Sequence, residues 1–125
     1  MTTTGQNTCI ERFGTATIDC TATGATLLAA VESSRVFIPT SAHVRLVTVA
    51  GFVTAPTVSI GTNATDYDSI QAAVVLTGLD TASEVYTVSF GTVVPAATSD
   101  VYIKVTSAAV GSYTAIVDLF GYYQD

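Results

Sequence analysis

The feature that most constrains this chain is a succession of short runs rich in β-branched residues, each ended by turn-forming residues. The 125 residues include 22 Thr and 17 Val but only six Leu. β-Branched side chains are stiff and fit the pleated surface of a sheet better than a helix. The sequence therefore predicts an all-β fold, a β-sandwich or jelly roll of about eight antiparallel strands. The candidate strands cover residues 13–18, 26–31, 35–38, 43–54, 57–60, 70–76, 84–90, 101–107 and 113–123.

The length and patterning of the chain predict one domain preceded by an arm. A chain of 125 residues is long enough for a single core and little more. Residues 1–12 begin with a polar, Thr-rich stretch without periodicity, which indicates an extended N-terminal arm that becomes ordered on a partner. Residues 13–125 then form a single β-sandwich domain. Pro39, Pro56 and Pro95 fall between candidate strands, where a missing N–H costs no hydrogen bond of a sheet.

The last candidate strand, residues 113–123, differs from the others because it is apolar on both faces. Residues 101–107 alternate between apolar and polar side chains, which is typical of a strand with one buried face. The last strand instead carries Ile116 and Phe120 on the face opposite its core residues, and a strand of this kind is covered on both sides. We therefore predict that Ile116, Phe120 and Tyr122 belong to an interface between subunits.

The composition favours association with protein and argues against nucleic acid. Apolar residues make up 49% of the chain and charged residues only 11%, with a mean hydropathy of +0.52. Part of this apolar surface is expected to be covered by other subunits, and symmetric homo-oligomers are the usual way to cover it. The formal net charge of −6 leaves no basic patch to neutralise phosphates, so nucleic-acid binding is not predicted.

A membrane location is not predicted either. Residues 46–65 are uncharged over a length that could span a bilayer, but they contain Pro56, two Gly and five Thr. That content predicts strands and turns. The N-terminus lacks the cationic and apolar segments of a secretory signal, so we expect the protein to be made in a cytoplasm.

Cys9 and Cys20 are the two cysteines, and their spacing leaves two interpretations open. They could close a short loop as a disulfide, which would stabilise the fold by about 2 to 3 kcal/mol. They could also be separate thiols, as synthesis in a cytoplasm favours. Their spacing and number exclude a C-x-x-C redox motif and a zinc site.

The sequence predicts no catalytic site and no cofactor. His43 is the only histidine, and it is the one candidate base for hydrolytic chemistry. Such chemistry needs a nucleophile within reach of the base. No nucleophile-elbow or oxyanion motif accompanies His43, so a surface or interface histidine is favoured and the protein is predicted not to be an enzyme.

Two further groups of residues have alternative interpretations. Residues 63–68 gather carboxylate and amide oxygens that could bind a hard cation, but without EF-hand spacing they favour a turn with Asx-type hydrogen bonds. The six tyrosines could stack on sugars, although packing in the core and at interfaces is favoured. They are Tyr67, Tyr86, Tyr102, Tyr113, Tyr122 and Tyr123.

Two stretches carry a resemblance to a known group of proteins. They are SSRVFIPTSAHVRLVTVAGFVTAPTVSIGTNATDYDSI and the closing segment DVYIKVTSAAVGSYTAIVDLFGYYQD. The features within Ala55–Ile70 and Asp100–Tyr123 resemble small all-β structural proteins of tailed bacteriophages, including cyanophages. The resemblance covers about two thirds of the chain.

This resemblance implies a virion protein, most often a decoration (cement) protein on the capsid surface. Such proteins commonly form trimers or dimers that clamp neighbouring subunits of the major capsid protein, and no catalytic residues come with them. For this chain we expect a homo-oligomer, with a trimer favoured. The arm then supplies the candidate capsid contacts, which are Thr2, Thr3, Thr4, Gln6, Asn7 and Arg12.

A receptor- or carbohydrate-binding module of a tail fibre or baseplate is the alternative function, because such modules share the same folds. Its predicted binding surface consists of the loops 61–69, 77–83 and 91–100.

Overall fold

The computed structural model describes residues 10–91 and 93–124, which form eight strands in two sheets. The predicted all-β sandwich is confirmed. Within those ranges no helix is long and apolar enough to span a bilayer. The strands are β1 (Glu11–Asp19), β2 (Gly24–Ala29), β3 (Val36–Thr54), β4 (Thr57–Gly61), β5 (Gln71–Val75), β6 (Val85–Ser89), β7 (Val101–Ser107) and β8 (Val110–Gln124).

The strands pair in a nested order. β1 pairs with β8, β2 with β7, β3 with β6 and β4 with β5, all of them antiparallel. Two further antiparallel pairings, β3 with β8 and β4 with β7, join these pairs into sheets. Sheet A has the order β1-β8-β3-β6, and sheet B has the order β2-β7-β4-β5. Eight strands in two sheets with this order form a jelly roll.

β3 is longer than the sequence pattern predicts. The candidate strands 35–38 and 43–54 belong to this one strand, so Pro39 lies inside a strand and not between two. The proline is tolerated because β3 has a bulge between Pro39 and Ser41 and pairs with β6 only from Ser41 onwards. The missing N–H of Pro39 therefore interrupts no ladder with β6.

β1 begins before the predicted boundary of the arm. Arg12 pairs with Phe120 of β8, so Arg12 belongs to sheet A and the segment before the first strand is shorter than residues 1–12. Residues 1–9 lie outside the described residues, and they contain most of the candidate capsid contacts, namely Thr2, Thr3, Thr4, Gln6 and Asn7.

The core lies between the two sheets and follows the predicted alternation. Every second residue of β7 and β8 is almost completely buried, while the residues between them face outwards. The buried members of these two strands include Val101, Ile103, Val105, Tyr113, Ala115, Val117 and Leu119.

Aromatic contacts close both ends of the sandwich. Where β1 starts, Phe37 stacks on Phe13 with ring centroids 4.2 Å apart, and Tyr123 packs edge-on against both rings. At the opposite end, the buried Tyr113 donates its hydroxyl hydrogen to the carbonyl of Leu79. Burial raises the pKa of Tyr113, which keeps the phenol neutral as a hydrogen-bond donor.

Cys20 is a free thiol that is completely buried just after β1. Its amide donates to the carbonyl of Tyr113 at 2.8 Å. β1 has nine residues, and its rise separates Cys20 from the chain before Glu11 by roughly 25 Å. A disulfide requires Cα atoms roughly 4.4–6.8 Å apart. Cys9 lies outside the described residues, and this separation leads us to expect two thiols and no bridge.

We expect Cys20 to be unreactive in the folded protein. Burial, with a smaller contribution from the charge of Asp19, raises the pKa of the Cys20 thiol to about 12. Because the thiolate is the reactive species, a Cys9→Ser variant should react with a thiol reagent at pH 8 on the order of a hundredfold more slowly when folded than in denaturant. Wild-type protein denatured without reductant should titrate two thiols. Rapid labelling of the folded variant, or fewer than two thiols in the wild type, would contradict this expectation.

Candidate interaction surface

The outer surface of sheet A carries apolar and charged side chains in three rows that cross all four strands. Residues directly opposite each other in antiparallel strands share one face of the sheet. Tyr122 and Ile38 are opposite each other and extend the surface at one end. We call this surface the Phe120 face. Its rows are Arg12–Phe120–Ser41–Ser89, Thr15–Asp118–His43–Thr87 and Thr17–Ile116–Arg45–Val85.

None of the described segments of the chain covers the Phe120 face. Its central residues, including Ile116, Phe120 and Tyr122, are half-buried, and Val85 at its edge is 50% exposed. The alternate residues of β8 point the other way and are completely buried. The structure therefore brings the three residues predicted at an interface together on one surface.

His43 lies near the middle of the Phe120 face. Its ring packs on the ring of Phe120 with centroids 4.8 Å apart and planes tilted by 53°. Thr87 and Asp118 are its neighbours across the strands, yet no hydrogen bond joins His43 to either of them within the described residues. His43 thus serves as a packing surface beside Phe120, in agreement with a surface or interface role.

Asp118 is the carboxylate at the centre of this face, and it is incompletely paired. Its Oδ1 atom is buried and has no hydrogen-bond partner among the described residues. The nearest cation is Arg12, whose Nη1 lies 3.9 Å from Oδ1, which is too far for a hydrogen bond. The Arg12 side chain is 61% exposed, so solvent weakens this ion pair. Asp118 is therefore a carboxylate with a weak ion pair, and its side chain is 26% exposed on the Phe120 face.

Arg45 is the second cation of the Phe120 face. It is exposed and makes no ion pair within the part of the chain that the structure describes. Arg12 and Arg45 are two of the four Lys and Arg residues of the whole chain. Half of the cations of this acidic protein thus lie on the same surface as the half-buried Phe120 and Tyr122.

The outer surface of sheet B is partly covered by its own chain. The loop after β4 folds back over this sheet, so that the ring of Tyr67 packs on that of Tyr102 at 4.8 Å. Lys104 donates from Nζ to the carbonyl of Thr65 at 2.8 Å, and this hydrogen bond fixes the loop to β7. The two sides of the sandwich therefore differ, because one is covered by a loop and the other is the open Phe120 face.

The same loop tests the cation expectation for residues 63–68. Asn63 Oδ1 accepts hydrogen bonds from the amides of Asp68 and Ser69, both at 2.9 Å, and Asn63 Nδ2 donates to Asp68 Oδ1 at 2.8 Å. The amide oxygen is thus used inside the turn. No group of three or more His, Cys, Asp or Glu residues suited to a metal occurs within the described ranges. As expected, an Asn side chain orders the turn, but its hydrogen bonds reach amides five and six residues further on and not the two residues of an Asx turn.

The three loops predicted to bind a carbohydrate lie at opposite ends of the sandwich. Gly61 pairs with Tyr102 at the start of β7, and Ala97 of the loop 91–100 bridges to Phe37 at the start of β3. The loop 77–83 instead contacts Leu46 through the amide of Ser83. Leu46 lies nine residues beyond Phe37 on β3, roughly 30 Å away. These loops do not form one continuous surface.

A pocket of about 300 Å³ lies between the loop after β5 and the start of β6. Its carboxylate, Glu84, accepts hydrogen bonds from the amides of Asp80 and Thr81, so it orders the local turn. The pocket contains neither a histidine nor a cysteine, and it offers no pair of nucleophile and base. Its lining residues are Thr77, Gly78, Leu79, Glu84, Val85 and Tyr86.

Sequence reasoning found the β8 part of the Phe120 face and missed the rest. Alternation within β8 was enough to place Ile116 and Phe120 on one surface. The contributions of His43, Arg45 and Val85 depend on the registers of β3 and β6, which no local pattern reveals. The length and apolar content of the β3 and β8 segments could have suggested that these strands pair, and with them the positions of His43 and Arg45.

The nested strand order defines the protein as a jelly-roll β-sandwich. No model of a known protein family matches the chain, and no curated protein sequence matches it. Among solved structures, the chain is similar to one from the capsid asymmetric unit of the cyanophage Pam1, with a TM-score of 0.60 and 17% sequence identity. The similarity covers 100% of this chain and 91% of that chain. At this identity the likeness is one of fold.

Proposed function

We propose that the chain is a non-enzymatic structural protein of a bacteriophage virion, specifically a decoration (cement) protein on the outside of the capsid. The observation that carries this proposal is the Phe120 face, a sheet surface that the described residues leave open and on which Phe120, Ile116 and Tyr122 lie among hydroxyl and charged side chains. Surfaces of this kind mark sites of protein association. The full-length likeness in fold to a chain of a cyanophage capsid supports the same role.

The proposed mechanism is clamping, which requires no reaction. Copies of the chain associate through the Phe120 face into a homo-oligomer, for which we favour a trimer. This oligomer then binds several subunits of the major capsid protein. A ligand that binds only the assembled lattice stabilises that lattice by mass action. The net charge of −6 is compatible with such a role, because an acidic protein does not adhere to the packaged genome.

The N-terminal arm is the proposed capsid contact. β1 starts at the edge of sheet A, so the arm is attached to the domain beside Arg12 and the Phe120 face. Its polar residues can extend over a neighbouring capsid subunit without taking part in the core. The contacts that we propose are Thr2, Thr3, Thr4, Gln6, Asn7 and Arg12.

Deletion of residues 2–8 should separate capsid binding from folding. Since the deleted residues precede the first strand, we expect an unchanged circular dichroism spectrum and an unchanged melting temperature. Binding to capsids that lack the protein should weaken at least about tenfold in a co-sedimentation assay. Replacing the same residues by an equally long Gly-Ser segment controls for the loss of length. Unchanged co-sedimentation of both variants would contradict the role of the arm.

The location of the protein on the particle tests the proposed function as a whole. We expect cryo-electron microscopy of particles that carry the protein to show its density on the capsid shell, at junctions between capsomers. Density only on a fibre or baseplate would overturn the proposal and favour the host-recognition alternative. Absence of the protein from purified particles would also overturn it.

A further inference from the structure

The Phe120 face contains one cation that makes no ion pair among the described residues and one carboxylate whose ion pair is long and mostly exposed. Arg45 is exposed and makes no ion pair in the described part of the chain. Asp118 has a buried Oδ1 atom without a hydrogen bond, and Arg12 approaches it only to 3.9 Å. The Oδ1 atom itself is closed to a partner, but the Asp118 side chain as a whole is 26% exposed, so a cation from outside the chain can approach the rest of the carboxylate.

The positions of Arg45 and Asp118 suit contact between copies and not within one copy. They occupy adjacent strands and adjacent rows, because Arg45 is opposite Ile116 and Asp118 is opposite His43. Such diagonal neighbours are about 7–8 Å apart. A two-fold axis that lies in the face and passes between them brings Arg45 of each copy to Asp118 of the other. In a trimer the contacts are heterologous, and the pair would instead form where Arg45 of each copy meets Asp118 of the next copy around the three-fold axis.

The residues around Arg45 and Asp118 also favour a second copy of the chain as the partner. Arg45, Ile116, His43 and Asp118 form a square on the sheet, with Arg45 and Asp118 on one diagonal and Ile116 and His43 on the other. The two-fold axis runs along the second diagonal, so Ile116 and His43 each meet the same residue of the other copy. Phe120 lies next to His43, and the two rings are in contact within one copy. Apolar and aromatic neighbours that exclude water strengthen an ion pair at a contact between proteins.

The distribution of charge also favours a second copy as the occupant. Two chains that each carry −6 repel one another, and the repulsion is least where positive residues lie. The three rows of the Phe120 face hold two arginines against the single carboxylate of Asp118. We propose that a second copy of the chain docks on the Phe120 face and that Arg45 of one copy pairs with Asp118 of the other. This inference rests on the proposed function, since it names the contact through which the protein oligomerises.

Charge reversal tests the pair on the purified full-length chain. Arg45→Asp and Asp118→Arg should each raise the dissociation constant of the oligomer roughly tenfold or more, measured by sedimentation velocity. The double variant exchanges the two charges and should return to within about threefold of the wild type. The milder Asp118→Asn and Arg45→Gln variants, checked by circular dichroism, show whether a loss of association comes from the charge or from misfolding.

Arg12→Ala is the matched control, because Arg12 is the other cation near Asp118. Since its side chain is mostly exposed, we expect a change of less than about threefold. A double variant that associates no better than the weaker single variant would overturn the inference, and so would an effect of Arg12→Ala equal to that of Asp118→Asn. These readouts use no capsid. These measurements can therefore reject the ion pair while the protein still binds capsids. They can also support the ion pair when the protein does not bind capsids, which would reject only the proposed function.

Discussion

Phe120→Asp should convert the oligomer to monomers without unfolding them. Phe120 is half-buried on the outer face of β8, and its backbone carbonyl keeps the hydrogen bond from Thr40 Oγ1 after substitution. In a monomer the new carboxylate is partly solvated. In an oligomer it is buried, and the full cost of a buried unpaired charge is about 3–5 kcal/mol at each contact. Arg12 lies opposite position 120, but its side chain is mostly exposed and offsets only a small part of this cost. That cost corresponds to a weakening of association on the order of a hundredfold or more.

The measurement is the mass in solution by light scattering or sedimentation velocity, together with the circular dichroism spectrum. Leu27→Asp is the matched control, because Leu27 is an apolar side chain with 45% exposure on β2, in the other sheet. It should leave the mass unchanged. A wild-type monomer at all concentrations would contradict the prediction. So would an unchanged mass for Phe120→Asp, or an equal loss for Leu27→Asp.

Much of the fold could be predicted because strand patterns are local. Alternation with a period of two residues placed Ile103 in the core and Phe120 outside it, and both placements agree with the structure. Such patterns depend only on the direction in which successive side chains point. The jelly roll was likewise predicted from the number and spacing of the strands. Its order, with β1 beside β8 and β2 beside β7, adds contacts between distant segments that spacing alone does not determine.

The missed features share a physical cause, which is that they depend on register and bulges. Pro39 indicated a break, but a bulge and the short length of β6 allow it to lie within β3. Arg45 and Asp118 are distant in sequence, and only the pairing of β3 with β8 places them on one face. A shift of register by one residue would move Arg45 to the opposite side of the sheet.

The asymmetry of the two outer surfaces follows from the lengths of the connections. The loop between β4 and β5 is long enough to fold over sheet B, where Lys104 holds it through the carbonyl of Thr65. It is also tightly packed, since a Cβ atom on Gly61 would lie 2.5 Å from the amide nitrogen of Ser69. Sheet A has no such hydrogen-bonded loop on its outer side in the described ranges. Under the proposed function, the outer surface of sheet A is thus available for contact with other copies of the chain.

Phe37→Ala should be among the most destabilising substitutions in the domain. Phe37 is completely buried, stacks on Phe13 at 4.2 Å and covers Gly121, on which a Cβ atom would lie 2.6 Å from its ring. Truncating a buried Phe costs about 3–5 kcal/mol, a large part of the roughly 5–15 kcal/mol that stabilises a typical domain. The melting temperature should fall by about 10–20 °C for a chain of this length.

The cleanest measurement of this effect uses the monomeric Phe120→Asp background, because unfolding then does not depend on association. Urea unfolding gives the free energy, and Phe52→Ala is the control, since Phe52 is only partly buried, at the far end of β3. A cost below about 2 kcal/mol, or one no larger than that of Phe52→Ala, would contradict the prediction.

Tyr123 connects the cluster of Phe13 and Phe37 to the loop before β3, because its hydroxyl accepts the amide hydrogen of Glu32 at 2.8 Å. Loosening this cluster therefore loosens the end of the sandwich where β1 starts. The proposed function then predicts that Phe37→Ala, in the oligomeric background and below its melting temperature, also weakens capsid attachment.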